Sequence, residues 1–298
     1  MIPLRFVPFV FVLLWSTGFI GARYAMPHAE PFTVLAIRMA IAAVLLWLLT
    51  LKFRVTWPSR RQTLHAMFVG LLVHAAYLGG VFTAIRNGMP AATASLIVGL
   101  QPLITAIIAR VWLGDTLLFR QVLGLLVGLC GVTLVLWPDE SSTLATGFGS
   151  GAVLATVVSL FAISLGTLWQ KRYCTDISLL AGAFWQYVAT ALVLTAGAFL
   201  FETRQIAWTG ELIFALFWLV FVLSIAAILL LMLMIRHGQA AVVASYFYLT
   251  PAATAVEAWI LFGEHPGAPA FAGIVVVCLG VYMARARVAP PVEAGKAD

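Results

Sequence analysis

An eleven-residue stretch of this chain occurs twice, and this repetition constrains the fold more than any other feature of the sequence. Residues 85–95 and 235–245 are identical at six positions when aligned at an offset of 150. At an offset of 149 the match continues through Pro102 and Pro251. Because the match keeps its register over about 50 residues, it indicates an internal duplication.

Long apolar segments make up most of both copies. The chain of 298 residues is 63% hydrophobic and only 9% charged, whereas about a quarter of the residues of soluble domains are charged. Ten segments are long and apolar enough to cross about 30 Å of hydrocarbon. We number them spans 1–10: residues 4–22, 31–51, 64–85, 89–113 and 118–137 in the first copy, and 149–169, 178–201, 212–235, 240–262 and 269–284 in the second.

These segments predict an all-α integral membrane protein with ten transmembrane helices in two five-helix repeats. The first repeat is expected over residues 1–140 and the second over residues 149–288, with a linker at 141–148. Residues 289–298 contain two prolines and mixed charge, and we expect a disordered tail there. Span 1 resembles a signal peptide, but its counterpart in the second copy is internal, so we expect it to remain as a helix.

The Lys and Arg residues predict the orientation in the membrane. Thirteen of them fall on the side that holds both termini and only three on the other. Because positive loops stay in the cytoplasm, we expect a multi-pass protein of the cell inner (plasma) membrane with both termini cytoplasmic. Five spans per copy is an odd number, so the second copy must enter the membrane inverted, and Arg86 and Arg236 should face opposite sides. Transporters commonly use such inverted repeats, with the binding site near mid-membrane.

Several classes of binding site are not expected. The net charge of +6 comes from basic residues in short gaps between apolar runs, which does not indicate a nucleic-acid surface. Cys130, Cys174 and Cys278 form no CxxC motif and the five His residues are scattered, so we expect neither a disulfide framework nor a metal site. No phosphate-binding loop of the G-x-x-x-x-G-K-[ST] type occurs, and we expect no cofactor.

Motifs along nearly the whole chain resemble the EamA-type branch of the drug/metabolite transporter (DMT) superfamily. They are Trp15 to Phe19 (WSTGF), Arg38, Ala91 to Pro102, Gly114-Asp115 and Gly263-Glu264. The resemblance implies ten helices in two inverted halves, with spans 1, 3, 4, 6, 8 and 9 lining a central cavity. It also implies export, since many bacterial members export amino acids, related metabolites or toxic compounds. Asp115 departs from the family pattern, which usually has Glu there.

Polar and aromatic residues near the middle of spans are candidates for solute binding, because such groups are costly to expose to lipid. A hydroxyl in a membrane helix can equally bond its own i−4 carbonyl or a neighbouring helix. Tyr246 and Tyr248 lie about 200° apart on a helix, so we expect at most one to face the solute. The candidates are Trp15, Ser16, His74, Tyr77, Ser95, Gln101, Ser164, Ser224, Ser245, Tyr246 and Tyr248.

Two charged residues, Arg38 and Glu257, lie inside spans at similar depth. Their repeat counterparts are Gln186 and Ile108, so both charges are missing from the equivalent positions. One hypothesis is an ion pair that helps to close the outer side, and another is that Glu257 carries a coupling proton. A structural pair, or two charges reaching water separately, are the alternatives.

Two further features concern helix geometry. Pro102 and Pro251 are repeat-equivalent and are interpreted as hinges for alternating access, although static kinks fit as well. Gly124, Gly128 and Gly131 give span 5 a smooth face, suited to packing within its half or to dimerisation.

The sequence therefore favours a carrier that exports small organic solutes such as amino acids by alternating access between two inverted repeats. The alternatives are multidrug or toxic-compound efflux and an uptake permease. A membrane channel or scaffold and an intramembrane enzyme are further alternatives, although clustered acid/base residues are scarce, and we expect no enzyme. Expected partners are a small-molecule solute, the lipid bilayer, and protons or another coupling ion, but no nucleic acid. The carrier is expected to be a monomer or a homodimer.

Overall fold

Helices build the fold in the computed structural model, which describes residues 6–89, 91–114, 118–135, 148–237, 240–262 and 268–284. Over these residues the all-α class is confirmed. The predicted linker up to residue 147, the loop positions Asp115, Gly263 and Glu264, and the predicted tail lie outside the described residues. The helices are α1 (Val7–Ala25), α2 (Pro31–Lys52), α3 (Arg60–Gly70), α4 (Tyr77–Arg86), α5 (Ala91–Val98), α6 (Gln101–Trp112), α7 (Phe119–Val135), α8 (Ser150–Tyr173), α9 (Leu179–Phe201), α10 (Gly210–Trp218), α11 (Ile228–His237), α12 (Ala240–Ser245), α13 (Leu249–Phe262) and α14 (Ala268–Ala284).

Six helical segments of the described chain are long and apolar enough to cross a membrane. They are α1, α2, the continuous segment from α3 to α4, α8, α9, and the segment from α10 to α11, and they match predicted spans 1, 2, 3, 6, 7 and 8. Large apolar side chains such as Trp47, Val111 and Phe214 are exposed on the outward faces of the bundle. A surface of this kind is suited to lipid rather than water, and the protein is a multi-pass membrane protein.

Spans 4, 5, 9 and 10 contain shorter helices. Span 4 is divided, since α5 ends at Val98 and α6 begins at Gln101. Span 9 is divided by a 3₁₀ turn at Tyr246–Tyr248 between α12 and α13. Pro102 lies in the first turn of α6 and Pro251 in the first turn of α13, where a missing N–H costs little because it would have no partner within the helix. The prolines thus mark where the second part of each span begins, and their role as hinges stays a prediction.

Spans 3 and 8 each contain a π-helical segment instead of a break. The segments are Leu71–Ala76 between α3 and α4, and Leu219–Ala227 between α10 and α11. Residues 71–76 correspond to 221–226 at the sequence offset of 150, so the segments occupy matching positions. π-helical turns re-aim side chains and occur frequently at functional sites.

One end of the bundle is held together by loop contacts between the predicted halves. The Glu202 carboxylate accepts hydrogen bonds of 2.7 Å from the N–H groups of Phe32 and Thr33, and so caps α2. Ala29 forms a β-bridge with Ile206 in the neighbouring loop. Arg86 donates to the carbonyl oxygen of Met26 at this same end.

The equivalent arginine contact lies at the opposite end of the bundle. Arg236 donates to the carbonyl oxygen of Ile177, which lies two residues before the start of α9 at Leu179. Since α9 runs from there to Glu202 over 23 residues, the two arginine contacts are separated by roughly 35 Å along the helix axes.

The glycine face of span 5 packs against α14 of the other predicted half, and not within its own half as one of the two sequence hypotheses had it. A Cβ on Gly131 would lie 2.5 Å from the Val277 nitrogen, and one on Gly280 would lie 2.4 Å from the Gly128 nitrogen. The backbones of α7 and α14 therefore approach too closely for a larger residue at either position.

Candidate functional site

A small cavity lies between helices of both predicted halves. Its volume is about 30 Å³, which is room for water molecules but not for an organic solute without movement of the walls. Both π-helical segments contribute to the lining, through His74 and Leu223. The described lining residues are Trp15, Gly18 and Phe19 on α1, Arg38 on α2, His74, Tyr77, Leu78, Val81 and Phe82 on span 3, and Leu223 and Ile228 on span 8.

The charged group of this cavity is the guanidinium of Arg38. The side chain is only 4% exposed, and its Nε donates a hydrogen bond of 2.8 Å to Ser224 Oγ. Ser224 belongs to the π-helical segment of span 8, so this bond joins α2 to the other predicted half. Among the described residues, no carboxylate lies within ion-pair distance of Arg38. The cavity therefore contains a buried cation whose charge the surrounding side chains do not neutralise.

Behind the cavity wall, buried polar side chains form a network of hydrogen bonds and one aromatic ring contact. Gln186 Nε2 donates to Gln170 Oε1 over 2.9 Å, and Gln186 Oε1 lies 3.1 Å from His74 Nε2. Because an amide oxygen only accepts, this geometry assigns the proton of His74 to Nε2. The Tyr187 ring contacts the His74 ring at a tilt of 47°, with centroids 4.6 Å apart, and the Tyr187 hydroxyl donates a 2.6 Å hydrogen bond to the carbonyl oxygen of Ser224. The network fixes the positions of both His74 and the segment that holds Arg38.

Aromatic rings form the opposite side of the cavity. The Trp15 and Tyr77 rings are stacked, with centroids 6.3 Å apart and planes inclined by 5°. Phe247, at the break of span 9, contacts Trp15 edge to face over 5.4 Å. This arrangement provides flat apolar surfaces next to the Arg38 cation, which suits a solute with one apolar and one polar end.

Ser16 and Glu257 form a second polar contact close to the cavity. Ser16 Oγ donates to Glu257 Oε1 over 2.5 Å, while Glu257 Oε2 is buried without a hydrogen-bond partner among the described residues. In this conformation the described residues show other partners for Arg38 and Glu257, and the ion pair, one of the hypotheses from the sequence, is not formed. Their positions along spans 2 and 9 placed the two charges at the same depth in the membrane. However, α2 packs against α9 and span 8, whereas α13 packs against α1 and α14, so the two side chains have different neighbours.

The structure brings together only some of the predicted binding residues. Trp15, His74, Tyr77 and Arg38 line the cavity, and Ser224 holds Arg38. Ser164 and Ser245 donate to carbonyl oxygens of their own helices, those of Leu160 and Val242. The remaining candidates, Ser95, Gln101, Tyr246 and Tyr248, are buried near the breaks of spans 4 and 9 and are not among the lining residues.

Part of the network behind the cavity was not predicted from the sequence. Gln170 and Tyr187 were not among the candidate residues, and Gln186 was named only as the repeat counterpart of Arg38. All three are polar side chains buried in apolar helices. Gln186 meets the criterion used for the other candidates, a polar side chain near the middle of a span that is costly to expose to lipid, whereas Gln170 lies just past the end of span 6.

Comparison with known proteins gives a consistent family. The sequence profile of the EamA-like transporter family matches residues 6–137 and 150–286. An uncharacterized transporter of Bacillus subtilis, YvbV, is 25% identical over 93% of this chain and 89% of its own length. A probable amino-acid metabolite efflux pump of Salmonella typhimurium is 22% identical over 93% of both chains.

Two further matches extend the comparison. An S-adenosylmethionine/S-adenosylhomocysteine transporter of Chlamydia muridarum is 27% identical over 65% of this chain and 63% of its own length. A crystal structure with 20% sequence identity aligns with a TM-score of 0.78 over 95% of this chain and 96% of that one, which shows the same fold. Because the family profile covers most of the sequence, the chain belongs to the EamA-like transporter family of membrane transporters.

Proposed function

We propose that the protein is an inner-membrane carrier that exports a small organic solute, such as an amino acid or a related metabolite. The observation that carries the proposal is the cavity between helices of both predicted halves, which unites the aromatic rings of Trp15 and Tyr77 with Arg38, a cation without a carboxylate partner among the described residues. Family membership supports transport. A relative named as a probable amino-acid metabolite efflux pump supports both the outward direction and the class of solute.

Alternating access between two inverted five-helix repeats is the mechanism we propose. All ten predicted spans would cross the membrane, including the divided spans 4 and 9. The π-helical segments at matching positions, and the equivalent contacts of Arg86 and Arg236 at opposite ends, support this arrangement. In the present conformation the cavity is too small for an organic solute, so loading requires the halves to move apart on one side.

Counterflow in proteoliposomes tests the carrier function. The purified protein is reconstituted with an unlabelled compound inside, and uptake of the labelled compound is measured over a panel of amino acids and hydrophobic drugs. We expect exchange of at least one amino acid, reduced about tenfold or more in Trp15→Ala because its flat contact surface is lost. Trp47→Ala is the matched control, since Trp47 is 45% exposed on α2, and it should exchange normally. A folded protein that exchanges no compound of the panel would overturn the proposal.

Cysteine labelling tests the inverted topology and the cytoplasmic termini. Asn87 and His237 are exposed residues that follow the two repeat-equivalent arginines. Of the native thiols, Cys130 and Cys278 are exposed and are replaced by Ala. Burial raises the pKa of the Cys174 thiol to about 12, so this thiol reacts slowly and can stay. An impermeant maleimide added to intact cells should label Asn87→Cys but not His237→Cys. Labelling of both from outside would contradict the inverted arrangement.

A further inference from the structure

Arg38 has no counterion within the part of the chain that the structure describes, although it is buried where a counterion is most needed. A guanidinium stays protonated in proteins, and a buried ion without a partner of opposite charge is strongly unfavourable. The polar groups around Arg38 that the structure describes, Ser224, His74 and the phenols of Tyr77 and Tyr187, include no carboxylate. The site is therefore electrostatically complementary to an anion that comes from outside the protein.

The geometry of the guanidinium also leaves its binding edge unused. Its one hydrogen bond to the described residues employs Nε, so Nη1 and Nη2 make none. Two parallel N–H groups match the two oxygens of a carboxylate. Ser224 is held in turn by the hydrogen bond from Tyr187 to its carbonyl oxygen, so the guanidinium is fixed in position before any ligand arrives.

We propose that Arg38 binds the carboxylate of the solute, with the apolar part of the solute against Trp15 and Tyr77. This inference rests on the proposed carrier function. Among the described lining residues Arg38 is the one Lys or Arg, so the site matches a monoanionic carboxylate better than a phosphate dianion. The solute class is thus small carboxylic acids with an apolar substituent, amino acids included.

Matched pairs of compounds test the inference whichever of these acids the carrier transports. Leucine, phenylalanine and tryptophan are each compared with the corresponding carboxamide, which keeps the size, the ammonium group and the side chain but removes the negative charge. In counterflow with the wild-type protein we expect each transported acid to compete at least about tenfold better than its amide, as charge-assisted hydrogen bonds require. Arg38→Gln should lose this preference. Arg38→Lys should keep part of it, since it retains the charge without the two-pronged geometry.

Two controls keep the result interpretable. Arg110→Gln removes an exposed arginine of α6 and should leave the acid-over-amide preference unchanged. Ser224→Ala keeps the charge but releases Nε, and it should weaken the preference less than Arg38→Gln does. If Arg38→Gln does not fold, the comparison of acids with amides on the wild-type protein and on Arg38→Lys decides.

The outcomes separate the inference from the carrier proposal. Exchange of acids and amides with equal efficiency by the wild-type protein, or an unchanged preference in Arg38→Gln, overturns the role of Arg38 while the carrier function stands. No exchange of any compound by the folded wild-type protein overturns the carrier function. In that case the stabilisation of the detergent-solubilised protein by each acid against its amide still measures whether the Arg38 site selects a carboxylate.

Discussion

Two regions of the molecule handle buried polar groups in opposite ways. Behind the cavity, the partnered network of His74, Gln170, Gln186 and Tyr187 satisfies its side chains through hydrogen bonds of 2.6–3.1 Å. Around the breaks of spans 4 and 9, several buried side-chain atoms have no hydrogen-bond partner among the described residues. We call these the unpartnered groups: both amide atoms of Gln101, the hydroxyls of Thr105, Tyr248, Thr250 and Thr254, and Glu257 Oε2.

The unpartnered groups follow the internal duplication. At the sequence offset of 149, Gln101 corresponds to Thr250 and Thr105 to Thr254. Within each copy the two residues are four positions apart, Gln101 from Thr105 and Thr250 from Thr254, which places them on one face of a helix. An unpartnered buried polar group costs about 1–3 kcal/mol. The hydrogen bonds behind the cavity therefore stabilise this conformation, and we expect the groups near the breaks to gain water or solute as partners when the carrier opens.

The largest expected difference between the two regions comes from replacing one buried glutamine by leucine in each. Gln186→Leu leaves His74 Nε2 and Gln170 Oε1 without partners and should lower the free energy of unfolding by about 3 kcal/mol. Gln101→Leu removes two atoms that already lack partners, so it should be neutral or stabilising in this measurement. Reversible unfolding in mixed micelles gives both values. Equal losses would show that Gln101 has partners and that the two regions do not differ.

The variant that is harmless to stability should be harmful to transport. If the Gln101 amide binds water or solute when the carrier opens, Gln101→Leu folds well but exchanges solute at least about tenfold more slowly in counterflow. Unimpaired exchange by Gln101→Leu would place the amide outside the transport cycle.

The sequence was sufficient for the features that depend on a residue and its own helix. Trp15, His74 and Tyr77 were recognisable because polar and aromatic side chains inside apolar spans need an enclosed environment, and they line the cavity. Pro102 and Pro251 were interpreted as hinges or static kinks within spans 4 and 9, and the structure places them in the first turns of α6 and α13, where proline fits. Ser164 and Ser245 each donate a hydrogen bond to a carbonyl oxygen of their own helix, which was the alternative to solute binding for every hydroxyl.

Features that depend on which helices are neighbours could not be predicted. Arg38 and Glu257 were correctly placed inside helices, but depth along a span does not tell which face meets which partner. Arg38 therefore bonds Ser224 on span 8 and Glu257 bonds Ser16 on α1. The π-helical segments were also beyond prediction, since no proline or glycine break marks Leu219–Ala227 in the sequence.

A smaller effect is expected from removing one phenol in each region. Tyr187→Phe loses the hydrogen bond to the Ser224 carbonyl oxygen and should lower the free energy of unfolding by about 1 kcal/mol. Tyr248→Phe removes a buried hydroxyl without a partner and should not lower it. Both rings stay in place, so packing is unchanged and the difference reports the hydroxyl alone. A loss in Tyr248→Phe as large as in Tyr187→Phe would remove Tyr248 from the unpartnered groups.

The smallest expected change in the free energy of unfolding comes from replacing one threonine by valine in each region. Thr190 Oγ1 donates to the carbonyl oxygens of Gly70, over 2.9 Å, and Gln186, over 2.8 Å, and so joins α9 to α3. Thr190→Val should cost about 0.6 kcal/mol, the average for a hydrogen bond between membrane helices. Thr254→Val should gain a comparable amount, because burying a methyl group replaces burying an orphaned hydroxyl. Since each change exchanges one hydroxyl for one methyl group, volume does not separate the two variants. Opposite signs in the two measured free energies therefore have to come from the hydrogen-bond partners that one region has and the other lacks.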